Sequence, residues 1–153
     1  MTKAVFLDTG VLGVITHPRA EDPEPKECNV WLLRMLEGGA RICVPEICDY
    51  ELRREYFRNN SSNALSKLDR FNTAVSYIPI DTRMMVRAAE LWAMARRRGR
   101  QTADDKELDC DMVLAAQAQV AAQPTEDVIV ATTNVGHLQQ FVNADSWRNI
   151  TPD

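Results

Sequence analysis

KAVFLDTG, residues 3–10, is an apolar run that stops on an acid. Its length and content are those of a buried strand. A carboxylate is costly to bury without a partner, so Asp8 at the tip of such a strand needs a reason to be there.

Three further runs have the same character: 41–46 (RICVPE), 75–80 (VSYIPI) and 127–133 (DVIVATT). Helical patterns fill the gaps between them. In 28–37 apolar residues recur at Cys28, Trp31, Leu32, Met35 and Leu36, and the pattern ends at Gly38-Gly39. A second helix is expected from about Glu46 to Phe57. A third is capped by Asp81 or Thr82, carries Met85, Ala89 and Trp92 on one face, and runs to Arg96-Arg97-Arg98-Gly99. Between about 104 and 121 the alanine-rich DMVLAAQAQVAA predicts a closely packed helix. Strands alternating with helices imply one α/β domain over 1–153, with a largely parallel sheet of about four or five strands. The stretch 17–27, HPRAEDPEPKE, has three prolines and reads as a solvated loop near the end of the first strand.

Composition narrows the function. The chain has 153 residues, enough for one core. It is 45% hydrophobic and 26% charged, as ordinary soluble globular proteins are. No apolar run approaches a membrane span, and the apolar run before Asp8 is too short for a secretory leader, so a cytoplasmic location is expected. Four cysteines at irregular spacings, with no C-x-x-C pair, read as reduced and packed thiols. A net charge of −4 argues against a coat that binds nucleic acid by overall positive charge. It leaves room for an enzyme that meets nucleic acid through metal ions.

Ligands in open α/β sheets bind at the carboxyl ends of the strands, where Asp8 sits. Asn134 follows the last strand and reaches the same edge if the two strands are parallel. Glu51 lies early in the helix after the second strand, and Asp111 opens DMVLAAQA. Three carboxylates and an amide from four segments are thus candidates to converge, and their repulsion calls for protons or cations. Oxygen-only donors favour Mg²⁺ or Mn²⁺ over zinc. Such an ion acidifies a bound water and stabilises a leaving oxygen, which is the chemistry of phosphodiester hydrolysis.

Taken together, four pieces resemble the PIN domain, and within it the VapC-like ribonuclease toxins of prokaryotic toxin–antitoxin pairs. VFLDTGVL looks like the opening strand with its acid, Asp8; VPEICDYELRRE looks like the second acidic motif, with Glu51 followed by Leu-Arg-Arg. DCDMVLAAQAQ looks like the D-x-x-I-A-A-x-A helix, which assigns the third acid to Asp111. VIVATTNVGHL resembles the closing motif, with Asn134 where many members have aspartate. The resemblance implies a three-layer α/β/α fold and a metal-dependent endoribonuclease acting on RNA. It also implies a homodimer held inactive by an antitoxin protein, which inserts a segment near the active site and often supplies the DNA-binding half of the complex. With Asn134 in place of a fourth acid, one ion is expected in the absence of substrate. Two features depart from compact members, the proline-rich 17–27 stretch and an extra turn at Gln123-Pro124-Thr125.

Each residue also has a plainer reading. Asp8 suits a cap on the next turn. Glu51 competes with Glu46, Asp49 and Glu55 as one solvated helix charge among several. Asp111 competes with Asp104, Asp105, Glu107 and Asp109. A helix starting near Thr102 puts Asp104 and Asp111 on one face and Asp109 on another, and Asp109 is the reserve metal ligand. Asn134 suits a tight turn with left-handed backbone angles. Thr132 or Thr133 is a candidate to orient Asn134 or bind phosphate, and Thr133 is carried as substrate-binding. For His137 a surface or core role is preferred. Arg53 and Arg54 are the candidates for phosphate, against ion pairing with Glu55 or Asp49. The cluster from Arg96 to Arg100 is explained by the helix dipole.

Other enzyme classes lack their signatures. Aspartyl phosphatases need D-x-D, and here the third position is Gly10. No phosphate-binding P-loop or dinucleotide fingerprint is present. The competing reading is a degenerate PIN-like domain that binds RNA or a protein without cutting.

Overall fold

The computed structural model describes residues 1–98 and 105–153. Strand β1 (Thr2–Leu7) is buried on both faces, with Ala4 to Leu7 at 0% exposure. A strand covered on both faces reads as a continuous apolar run, which is why KAVFL shows no alternation. It pairs in parallel with β2 (Arg41–Pro45) on one side and β4 (Glu126–Thr132) on the other. β3 (Ser76–Ile78) and β5 (Ala144–Ser146) complete a five-stranded, all-parallel sheet of order β3-β2-β1-β4-β5.

Between the strands run α1 (Thr9–Ile15), α2 (Pro23–Glu37), α3 (Glu46–Arg58), α4 (Ser62–Ala74), α5 (Thr82–Arg97), α6 (Asp105–Ala121) and α7 (Val135–Leu138). They flank the sheet in the three-layer α/β/α arrangement expected. The extra turn at 123–125 is present, closed by the Glu126 N–H donating to the Gln123 carbonyl at 3.0 Å. Among the described residues no helix is long and apolar enough to cross a membrane.

Several elements differ from the sequence reading. The 17–27 stretch is not all loop, because α2 begins at Pro23 with Asp22 as its N-cap. Pro23 and Pro25 both fall in the first turn, where a missing N–H removes no intrahelical bond, so they start the helix instead of breaking it. The 75–80 run shrinks to three strand residues. Pro79 has no N–H to pair, and the Ile80 N–H turns to donate to Glu46 Oε1 at 2.7 Å. α1, α4 and β5 are short or polar elements that the pattern did not show.

α5 also faces a different way. Its buried stripe is Met84, Ala88, Leu91 and Ala95, while Met85, Ala89 and Trp92 lie on the exposed side. Both stripes are apolar at helical spacing, and the choice is made by α6, whose Met112, Val113, Ala115 and Ala116 join the buried stripe in a second core. The predicted close packing of α6 is seen, with Ala115, Ala116 and Ala118 at 0% exposure. The expected helix start at Thr102, Asp104, the side chains of Asp105 and Glu107, and Gly99 and Arg100 lie outside the described residues.

At the amino edge of the sheet, Arg41 of β2 grips Glu126 of β4 with two bonds, Nε to Oε2 at 2.7 Å and an outer nitrogen to Oε1 at 2.8 Å. They lock the two strands that flank β1. The Glu126 side chain is only 4% exposed, and the Arg41 fork holds its carboxyl below the usual 4.5. Glu126→Gln is expected to lower stability at neutral pH by about 1–3 kcal/mol in urea denaturation. Because the folded-state value is depressed, the wild-type advantage is present above pH 4.5 and is lost as pH falls through the depressed value.

Candidate active site

The carboxyl edge of the sheet is built differently. The parallel register pairs Leu7 with Ala131, so the next residues, Asp8 and Thr132, meet where both strands end. Asp8 is extended, with φ −74° and ψ 173°, and is the N-cap of α1. Its Oδ1 accepts the Val11 N–H at 2.8 Å, and its Oδ2 accepts the Thr132 hydroxyl and, at 3.3 Å, the Thr133 N–H. The capping reading is therefore correct for one oxygen, while the other is held by the end of β4. Asp8 is 9% exposed. Burial pushes its carboxyl above the usual 3.8; the Thr132, Val11 and Thr133 bonds oppose the shift, and nearby Glu51 adds to it.

Glu51 reaches this point from α3. Its Oε1 accepts the Thr9 hydroxyl at 2.8 Å, so the residue next to Asp8 in sequence orients the second acid. Asp111 comes from α6, with its Oδ2 3.8 Å from Nδ1 of His137 on α7. Asn134 stands at the cap position of α7, and its N–H donates to Thr132 Oγ1 at 2.9 Å. With φ −137° it is not left-handed, so the tight-turn reading does not describe it. Asp8, Glu51, Asp111 and Asn134 together line one cleft of about 140 Å³.

Other candidates lie elsewhere or do other things. Asp109 faces away, lining a separate depression with Met85 and Trp92. Arg53 is held by Asp49, at 3.0 Å through each of two nitrogens, and by Asp69 at 2.8 Å, so the ion-pair reading describes it. Arg54 is 3.9 Å from Glu51 at the rim. Thr133 contributes its backbone N–H, and its hydroxyl lies over Gly10, where an added Cβ would come within 2.5 Å of it.

Two polar groups of the cleft lie outside the sequence reading, Thr9, which it does not name, and His137, for which it prefers another role; Thr132, one of its two candidates to orient Asn134, does so and also holds Asp8. Thr9 adjoins Asp8, and His137 is three residues after Asn134, so adjacency to a site motif was the available signal. His137 is half-buried in the cleft wall and not in the core or on open surface. All four cysteines are free thiols, as expected. Burial pushes the Cys110 thiol, beside Glu51, up to about 12.

Among the described residues no three His, Cys, Asp or Glu side chains close around a common point at metal-ligand spacing. The donor set nonetheless fits a hard cation that keeps part of its water and takes few carboxylates. All its donors are oxygens, and Asp8 is a buried carboxylate with a second acid beside it and no cation paired to it by any described contact.

No family model and no curated protein matches the sequence. Solved structures do share its fold. A chain of VapBC2 from Rickettsia felis, bound to a DNA fragment from their promoter, superposes with a TM-score of 0.70 at 16% identity, covering 94% of this chain and 98% of that one. A chain of VapBC-1 from nontypeable Haemophilus influenzae gives 0.67 at 16% identity over 95% and 99%. A chain of DNA-bound VapBC from Salmonella typhimurium gives 0.64 at 18% identity over 96% and 99%. At such identities the likeness is one of fold, and the fold is the PIN-like three-layer domain expected from the four segments.

Because the folded-state value of Asp8 is raised, its contribution favours the fold below pH 3.8 and is lost as pH rises through the elevated value. In EDTA, the melting temperature of wild type is therefore expected to rise relative to Asp8→Asn as the pH is lowered from neutrality toward that range. A difference that stays flat across the series would contradict this account of the buried acid.

Proposed function

We propose that this chain is a divalent-metal-dependent endoribonuclease of the VapC type, the toxin of a toxin–antitoxin pair. The observation that carries the reading is the convergence of Asp8, Glu51, Asp111 and Asn134, from four separate segments, on one cleft at the carboxyl ends of parallel strands.

In this reading Asp8, Glu51 and Asp111 hold Mg²⁺ or Mn²⁺. The ion supplies acidity to a bound water and positive charge to the departing oxygen. Thr132 and Thr9 fix the Asp8 and Glu51 carboxylates through their hydroxyls. Asn134 lacks a charge, so a single ion is expected before RNA arrives. Its amide is left to orient the phosphate. Arg54 and the exposed Thr133 meet the incoming backbone from the rim.

The partners follow from the same reading: an RNA substrate, a cognate antitoxin protein and a second copy of the chain, met in the cytoplasm by one domain spanning 1–153. The matched chains come from VapBC structures, two of them bound to DNA, and this supports the antitoxin.

Purified, antitoxin-free protein should cut labelled RNA in Mg²⁺ or Mn²⁺ and not in EDTA. Thr132→Ala, which frees the Asp8 carboxylate to rotate, is expected to lower the rate by about 10- to 100-fold, and Asp8→Asn by more. Either divalent ion should raise the melting temperature of wild type and not of Asp8→Asn. A folded protein that melts higher with metal but cuts none of a broad RNA set would favour the non-cutting binder.

A further inference from the structure

Tyr50, Arg54 and Phe57 share the outward face of α3, at helical positions i, i+4 and i+7. They pack into neither core. Tyr50 is 54% exposed and Phe57 62%, while Cys48 and Asp49 on the inner side of the same helix are buried. The guanidinium carbon of Arg54 lies 5.2 Å from the centroid of the Tyr50 ring, so the cation covers the aromatic face. The same guanidinium is 3.9 Å from Glu51, which lines the acidic cleft. The aromatic and cationic pair therefore begins one side chain away from the cleft. Arg58, farther along the face, is engaged by Glu55 at 2.5 Å and takes no part.

An exposed aromatic ring beside a planar cation is the surface on which an unpaired nucleobase stacks. A base inside a duplex has both faces covered and cannot use it. The cation also matters for position, because it sets positive charge between the acids and the approaching phosphates. We propose that Tyr50 and Arg54 form a stacking subsite for an unpaired base of single-stranded RNA, next to the phosphate that enters the cleft, with Phe57 available to a second base. This inference rests on the ribonuclease reading and deepens it by naming the side chains that take a base beside the cleft.

The test is fluorescence anisotropy with a short unstructured ribo-oligonucleotide and a hairpin duplex of the same composition, in EDTA so that binding is read without cutting. Tyr50→Ala, Tyr50→Phe and Arg54→Ala are compared with wild type, with thermal melts to confirm folding and light scattering to give the oligomeric state. Tyr50→Ala is expected to weaken binding of the unstructured strand about tenfold or more and to leave the duplex unchanged. Tyr50→Phe keeps the ring and should stay within about twofold of wild type. Equal affinity of wild type and Tyr50→Ala for the unstructured strand overturns the subsite. So does a Tyr50→Ala variant that changes only the oligomeric state, which would make this face an interface between copies. Failure of the two readings is distinguishable. Asp8-dependent cutting with unaltered KM in Tyr50→Ala removes the subsite and keeps the nuclease; Tyr50-dependent binding with no cutting under any metal removes the nuclease and keeps the subsite.

Discussion

The structure turns on one carboxylate. Asp8 closes β1, starts α1 through the Val11 N–H, and ties β1 to the end of β4 through Thr132 and Thr133. Strand, helix and neighbouring strand all depend on an anion that burial disfavours. The fold can hold it because each hydrogen bond it accepts is also one the backbone or a buried hydroxyl has to make somewhere.

The two edges of the sheet handle charge in opposite ways. At the amino edge, Arg41 and Glu126 compensate each other at close range, and the result is mechanical: two strands clamped about a third. At the carboxyl edge, Asp8, Glu51 and Asp111 gather with hydroxyl groups and His137 around one cleft, with Arg54 at its rim. Carboxylates brought together about one cleft repel one another, and a cation relieves that repulsion. The same backbone geometry thus yields a structural end and a reactive end.

Much of this was legible in the sequence because it rests on pattern. The continuous apolar runs of β1, β2 and β4 reflect strands covered on both faces, and the small residues of α6 reflect its tight packing. Asp8 was legible at the tip of one such run, whereas Glu51 and Asp111 were separated from the acids around them only by resemblance to the family's acidic motifs. What escaped depends on contacts that pattern does not encode. α5 has two apolar stripes, and only α6 decides between them. Pro23 and Pro25 read as breakers, yet in a first turn they cost no hydrogen bond. Thr9 and His137 are ordinary residues locally, and each becomes part of the cleft only when a partner arrives from a distant segment; Thr132 was legible as a support for Asn134, but not as the hydroxyl that holds Asp8. Arg53 looked as suited to phosphate as Arg54 does; Asp49 and Asp69 take it instead.

Gly10 carries a consequence of a different kind. The hydroxyl of Thr133 rests where any side chain at position 10 would begin. An acid placed there would create the D-x-D spacing of aspartyl phosphatases, but its first carbon would collide with the Thr133 hydroxyl, on the residue whose N–H donates to Asp8. A side chain at position 10 is therefore accommodated only if the Thr133 side chain moves aside. A change at position 10 is thus felt through van der Waals contact at the segment that follows β4, so two stretches far apart in sequence are not free to vary independently.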